Sequence, residues 1–371
     1  MKKIGIVTFH RPINYGAVLQ SVALYKTISE NGAKCEIIDY ENESIRRAYK
    51  LFSLNRCTNI KLLIWNILNI PGNLKKKARF NEFLQKNVQL TKTVNKHTIE
   101  KFSDTYDCYI TGSDQVWNYS CTGNDSVFFL DFVLDNSKKR SYAASFGDYK
   151  ISDENKEAIR KYLSGFSTIS VREKSSISIV ESILGINGLC HQHLDPTLLV
   201  NRMDWEKMIA NVSRLHKNNY ILIYFMAQND TIVRETMTLA QNIKRENDFD
   251  IVVIGGSLHK EKDGIFYFNA YSPEEFIALF RDASCVITNS FHGTAFSIIF
   301  NKDFYSYVKD VNRSGRVFDL LSAIGLQKRL FSSAKQIIKY EHIQFDKANE
   351  LLQNWVNESI QYIIKIIEFG S

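Results

Sequence analysis

The sequence predicts an α/β protein built as two Rossmann-like domains facing a cleft, and three observations carry that expectation. Short apolar runs alternate with helix-length amphipathic stretches along most of the 371 residues. The rhythm pauses once, near Asp195-Pro196-Thr197, and then restarts. The chain is 44% hydrophobic and 23% charged, with four scattered prolines and no low-complexity tract, which suits two folded cores of ordinary size.

The first series opens on KIGIVTF as a strand, a helix from about Tyr15 to Asn31, and the strand KCEIIDY. DCYITG, RSYAASFG, TISVRE and LCHQHLD follow, the last three separated by helices at Asp153 to Leu163 and Lys174 to Leu184. After a helix containing Trp205, the second series runs YILIYFMA, a helix from Asp230 to Arg245, DIVVIGG, IFYFNA, a helix from Pro273 to Arg281, and SCVITN. From about Phe345 to Phe369 apolar residues recur at helical spacing, so one long helix is expected, packing back on the first domain. The expected boundaries are 1–198, with a basic helical excursion over about 45–101, then 199–344, then the helix at 345–371.

Several function classes recede at this stage. MKKIGIVTFH reads as a buried strand rather than a secretion signal. The apolar stretch Leu62 to Ile70 is broken by Asn66 and Asn69 and falls short of the roughly 20 residues that span a bilayer. Six singly spaced cysteines suggest free thiols in a reducing cytoplasm. His191 and His193 share a strand face without an evident third ligand, so no metal is expected. Between Arg46 and Lys101 the basic residues far outnumber Glu82 and Glu100, which suits an anionic partner. No aromatic-interleaved recognition motif accompanies them, so nucleic acid is not expected.

Ligands of parallel α/β sheets sit beyond the carboxyl ends of strands, and four such places hold chemistry. After the first strand, Asn14, Tyr15 and Gly16 form either an ordinary turn or a loop suited to sugar hydroxyls or an anion at a helix start. After DCYIT, Gly112 permits a bend, Ser113 and Asp114 emerge, and Trp117 offers a flat face to a sugar; Asp114 equally suits a helix cap. Arg172 follows TISV and suits a carboxylate or phosphate, or else an ion pair with Glu173 or another neighbour. In TNSFHGTAF, His292 stands where a strand passes into a helix. Gly293 and Thr294 are placed to present amides and a hydroxyl to a phosphate, with Lys309, Arg313 and Arg316 downstream.

The segments GIVTFHRPINYGAVLQ, YITGSDQVWN, SVREK, LDPT and NSFHGTAFSIIFNK, in that order, resemble the polysaccharide pyruvyl transferase family. The resemblance covers most of the chain. It implies a GT-B-like fold, phosphoenolpyruvate bound in the interdomain cleft, and transfer of its pyruvyl group to a sugar as a ketal. Arg172 and His292 fall on the family's donor-binding arginine and histidine. Ser290 stands where several members carry arginine, and Arg313 or Arg316 is the expected substitute.

Ketal formation requires protonation of the donor's methylene carbon, attack by a sugar hydroxyl, loss of phosphate, and closure by a second hydroxyl. His292 is expected to act as acid or base, Arg172 and the loop cations to bind the donor, and Asp114 to assist the acceptor. No cofactor beyond the phosphoenolpyruvate co-substrate is implied. Acceptors of the family include lipid-linked sugars, so LLIWNILNI and NLKKKARF suggest peripheral contact with an anionic membrane from the cytoplasmic side, or a solvated helical excursion. The competing readings are a GT-B glycosyltransferase using a sugar nucleotide and a non-catalytic carbohydrate-binding protein.

Overall fold

The structure is a computed structural model that describes residues 1–49, 70–255, 264–270, 272–311 and 315–368. The chain divides into two compact units, one formed by residues 1–199 with the chain from Val356 onward, the other by residues 200–355.

In the first unit, β1 (Lys3–Val7), β2 (Lys34–Ile37), β3 (Cys108–Gly112) and β4 (Lys139–Tyr142) form a parallel sheet in the order β2-β1-β3-β4. A second parallel pair, β5 (Ile169–Val171) with β6 (Cys190–Gln192), continues it through single bridges Arg140↔Thr168 and Ala144↔Val171. The ladder breaks between these bridges at Ala143, whose φ is 46°. Helices α1 (Tyr15–Glu30), α2 (Glu43–Ala48), α3 (Ile70–Asn87), α4 (Asp153–Leu163) and α5 (Lys174–Leu184) belong to this unit.

The apolar strands are buried throughout β3 and β5, as expected where helices cover both faces of a parallel sheet. Helix α3 shows why a basic sequence still packs. Phe80, Phe83 and Leu84 repeat at helical spacing and are buried, while the lysines around them divide by face. Lys76, one turn before Phe80, lies 4.4 Å above the Tyr15 ring and 5.7 Å from that of Phe80. Burial depresses its pKa to about 8.

The second unit holds α6 (Arg202–Met208), β7 (Tyr220–Tyr224), α7 (Asp230–Glu246), β8 (Asp250–Ile254), β9 (Ile265–Phe268) and α8 (Pro273–Asp282). It continues with β10 (Cys285–Thr288), α9 (Phe291–Ile299), β11 (Asp303–Tyr307), α10 (Arg316–Ala323) and β12 (Leu330–Phe331). Its six strands run parallel in the order β12-β11-β10-β7-β8-β9. Strand β11, DFYSY, was not anticipated from sequence. Ser306 reads as polar there, yet it is buried and hydrogen-bonded to Thr294 at 2.7 Å.

The last helix, α11 (Asp346–Glu368), contributes its second half to the first unit. Tyr362 stacks on His193 with ring centroids 4.1 Å apart, and Ser359 accepts the Leu194 amide at 3.1 Å.

Strand order places the crevices. In the first unit the chain turns to opposite sides between β1 and β3, and in the second between β7 and β10. Ligand sites of such sheets form outside the strand ends at these switch points.

Candidate active site

The second unit presents the junction of β10 and α9 at its switch point. Thr288, the last residue of β10, donates its hydroxyl to the Tyr224 carbonyl at 2.7 Å and accepts the Ser290 amide at 3.0 Å. Asn289 bridges to the loop after β7, accepting from the Met226 amide and donating to the Ala227 carbonyl, each at 2.7 Å. Ser290 is the N-cap of α9 and accepts the Gly293 amide at 3.3 Å. These bonds hold strand end and helix start in one orientation.

Several sequence expectations change here. The Gly293 amide is taken by Ser290 and is not offered to a phosphate. The glycine is required because a Cβ there would lie 2.4 Å from the Thr288 hydroxyl oxygen, too close for any side chain. Thr294 does not present its hydroxyl outward, since it donates to the Ser290 carbonyl at 3.1 Å and meets Ser306. Ser290 thus serves as a helix cap.

His292 occupies the first turn of α9, 6% exposed, with Nε2 shielded from solvent. Arg316 begins α10, which packs against α9. Arg313 lies outside the described residues.

The first unit gathers charge instead. Arg172, immediately after β5, donates from Nη1 to Asp195 at 2.7 Å, with Asp114 3.6 Å and Glu173 3.8 Å away. Burial opposes the guanidinium charge, but these carboxylates, Asp195 foremost, raise its pKa further. Asp195 also accepts from Ser113 at 2.9 Å and from the Thr197 hydroxyl at 2.8 Å. Glu173 accepts from Ser145, Ser176 and the Gly147 amide.

Arg172 therefore takes the ion-pair alternative, and its direct hold on a donor needs correction. One guanidinium among three carboxylates, with 2% of its side chain exposed, is a poor receptor for an anion. Ser113 is likewise spent on Asp195. Asp114 is the most exposed of the three acids, at 13%, and holds a left-handed φ of 64°. The bend belongs to Asp114 itself; Gly112 instead lacks a Cβ that would sit 2.7 Å from the Tyr142 carbonyl oxygen.

Trp117 cannot stack on a sugar. It is fully buried, parallel to Phe129 at 5.4 Å, with its indole N–H donated to the Phe128 carbonyl. Asn14 is the N-cap of α1 and accepts the Ala17 amide at 3.2 Å; its side chain also bonds to Tyr49. Helix α1 begins at Tyr15, so Gly16 lies within its first turn, buried, and makes no loop bend. The Tyr15 ring is covered by Phe80 and Lys76.

Asp195 is the residue that sequence reading undervalued. It lay in the quoted LDPT segment, but nothing local signalled its pairing with Arg172 and with Ser113, 82 positions away. His193 is an interior group: its ring stacks on Tyr362, Ser170 meets Nδ1 at 2.8 Å, and burial lowers its pKa to about 4. Among the described residues, no group of three or more His, Cys, Asp or Glu is placed to hold a metal.

The two-unit α/β architecture is GT-B-like and is shared with solved UDP-N-acetylglucosamine 2-epimerases. The enzyme from Rickettsia bellii matches with a TM-score of 0.52 at 12% identity, covering 98% of each chain. That from Neisseria meningitidis, bound to UDP-GlcNAc, matches at 0.52 and 11%, covering 100% of this chain and 99% of the other. The Methanocaldococcus jannaschii enzyme matches at 0.51 and 11%, covering 96% and 92%. At such identity these likenesses show the fold alone. No curated protein matches the chain.

The family comes from the sequence itself: residues 14–308 match polysaccharide pyruvyl transferase, and the chain belongs to that family. It is thus an enzyme of the pyruvyl-transferring class, with phosphoenolpyruvate as donor and a carbohydrate as acceptor.

Proposed function

We propose that the β10–α9 junction handles the phosphoenol group of the donor, with His292 moving the proton. The observation that carries this reading is the position of His292: at the switch point of the second unit, on the first turn of a helix whose start is fixed by Thr288, Asn289 and Ser290. The dipole of a helix start favours an anion, and low exposure keeps bulk water from competing for the transferred proton. Arg316, on the helix packed against α9, supplies a cation for the donor in this reading, as does Arg313.

In the first unit, Asp114 assists the acceptor hydroxyl, and Arg172 acts through it as a positioning residue. The guanidinium, anchored by Asp195, lies 3.6 Å from Asp114 and fixes its place. Incubation with phosphoenolpyruvate and free or lipid-linked oligosaccharides is expected to yield a pyruvyl mass increment matched by phosphate release. Glycosyl transfer from a sugar nucleotide, with phosphoenolpyruvate left intact, would overturn the reading.

A lipid-linked acceptor, and with it a cytoplasmic enzyme at the inner membrane face, belongs to the same proposal. Its support is narrower than the lysine run suggests, because Lys76 packs on Tyr15 while Lys75 and Lys77 are exposed. Residues 62–69 of the apolar stretch lie outside the described residues. Sedimentation with anionic liposomes should weaken in a Lys75→Glu, Lys77→Glu variant; unchanged binding would remove the membrane contact.

A further inference from the structure

Beyond the strand ends of β1 and β2, the first unit contains an open cavity of about 450 Å³, a size usual for small-molecule sites. Among the described residues, none so far assigned to donor or acceptor lines it. We infer that this cavity binds an acidic saccharide, a sugar carrying a carboxylate or phosphate, as the acceptor of the pyruvyl group. The acceptor role rests on the function proposed above; the ligand chemistry rests on the cavity.

One wall is aromatic. Phe9 and Tyr40 both meet Phe128 edge to face, at 5.1 and 5.8 Å, and all three line the cavity. Such a wall suits the C–H faces of a pyranose, while planar amide and guanidinium groups around it suit hydroxyls.

Among the described residues, the charged lining is mostly basic: Arg11, Arg46 and Lys77 line the cavity with one acid, Glu41, which lies 3.8 Å from Arg11, while Arg46 lies 4.0 Å from Glu43. Arg11 is fixed before any ligand arrives: Nε and Nη2 each donate to Asp39 at 2.7 Å, and Nη2 also reaches Thr93 at 2.9 Å. Burial would raise the Asp39 pKa, but His10, Arg11 and Thr93 bond to it and hold it well below the carboxylate range. His10 is locked in the same network, 2.8 Å from Asp39 and 3.0 Å from the Thr8 carbonyl. A preorganised wall of this kind loses little freedom on binding.

Lys77 and Asn81 sit one turn apart on α3, both exposed and both lining the cavity. The cavity also reaches the segment between β1 and α1, through Arg11, Pro12 and Ile13. Tyr49 lines it, bonds to the Asn14 side chain, and feels the charge of Asp114. A sugar seated there lies against the chain that leads into Asn14 and α1.

Calorimetry without phosphoenolpyruvate tests the ligand chemistry separately from the reaction. Glucose 1-phosphate and glucuronic acid, the phosphate and carboxylate arms, are compared with glucose and with inorganic phosphate. At least one acidic sugar is expected to bind roughly tenfold more tightly than either control, with the salt sensitivity of a charged contact. Lys77→Glu and Asn81→Trp, both at exposed positions, should each weaken that binding about tenfold while leaving the melting temperature unchanged.

Acidic sugars binding no better than glucose, inorganic phosphate binding equally well, or variants binding as the parent does would each overturn the inference. None of these results bears on pyruvyl transfer, which is read from the turnover assay.

Discussion

The strand ends of the two units solve the same problem with opposite chemistry. In the first unit the strand ends are tied by charge, with Arg172 among Asp114, Glu173 and Asp195. In the second they are tied by neutral groups, the hydroxyls of Thr288, Ser290 and Thr294 and the amide of Asn289. The difference teaches that a polar residue at a strand end marks where a site can form, but not that the residue is available. A buried charge must be answered within the fold, so Arg172 is consumed by its neighbours. Hydroxyls that cap and bridge are consumed as well, and they fix the strand end and helix start that carry His292.

The largest effect should come from breaking the charged junction. Arg172→Met leaves Asp195 buried without its cation and is expected to destabilise the first unit by about 3–5 kcal/mol, measured by denaturant unfolding. A loss below about 1 kcal/mol would show that the cluster does not depend on the ion pair. If Arg172 positions Asp114, Arg172→Lys should lower kcat more than it raises the KM for phosphoenolpyruvate.

Elsewhere in the first unit, His193 gives the comparison a pH axis. Its pKa is about 4 when folded, against 6.5 for an ordinary histidine, so the unfolded chain binds the proton first. The associated stability is complete above pH 6.5 and is lost as pH falls from there towards 4, by roughly 3 kcal/mol in total. His193→Gln should flatten that part of the stability profile; an unchanged slope would assign it to other groups.

The neutral junction should yield to shape rather than charge. Gly293→Ala places a methyl against Thr288 and is expected to cost about 1–3 kcal/mol, with little dependence on salt. The Arg172 variant, by contrast, removes an interaction between charges. A Gly293→Ala protein as stable as its parent would mean that the strand end and helix start are not closely held.

Much of this was legible in the sequence. Most strands and helices were visible as apolar periodicity, β11 excepted, and Asp114, Arg172 and His292 do follow the ends of β3, β5 and β10. Occupancy was not legible, because it depends on partners distant in sequence. Ser113 meets Asp195, Trp117 meets the aromatic residues of the following segment, and Gly293 faces the last residue of the preceding strand. Lys76 was readable in retrospect, since it stands one turn before Phe80 on the buried face of its helix. Arg11 and His10 followed a strand directly, but Asp39, which makes them a unit, stands 28 and 29 positions away.

In the proposed reaction, His292 is the group that moves the proton of the phosphoenol carbon. Phosphate release from phosphoenolpyruvate in the presence of acceptor, measured for His292→Asn beside the melting temperature, tests it most directly. The account predicts a fall of at least about 10²-fold in kcat with an unchanged melting temperature. Near-parental turnover in that variant would contradict it.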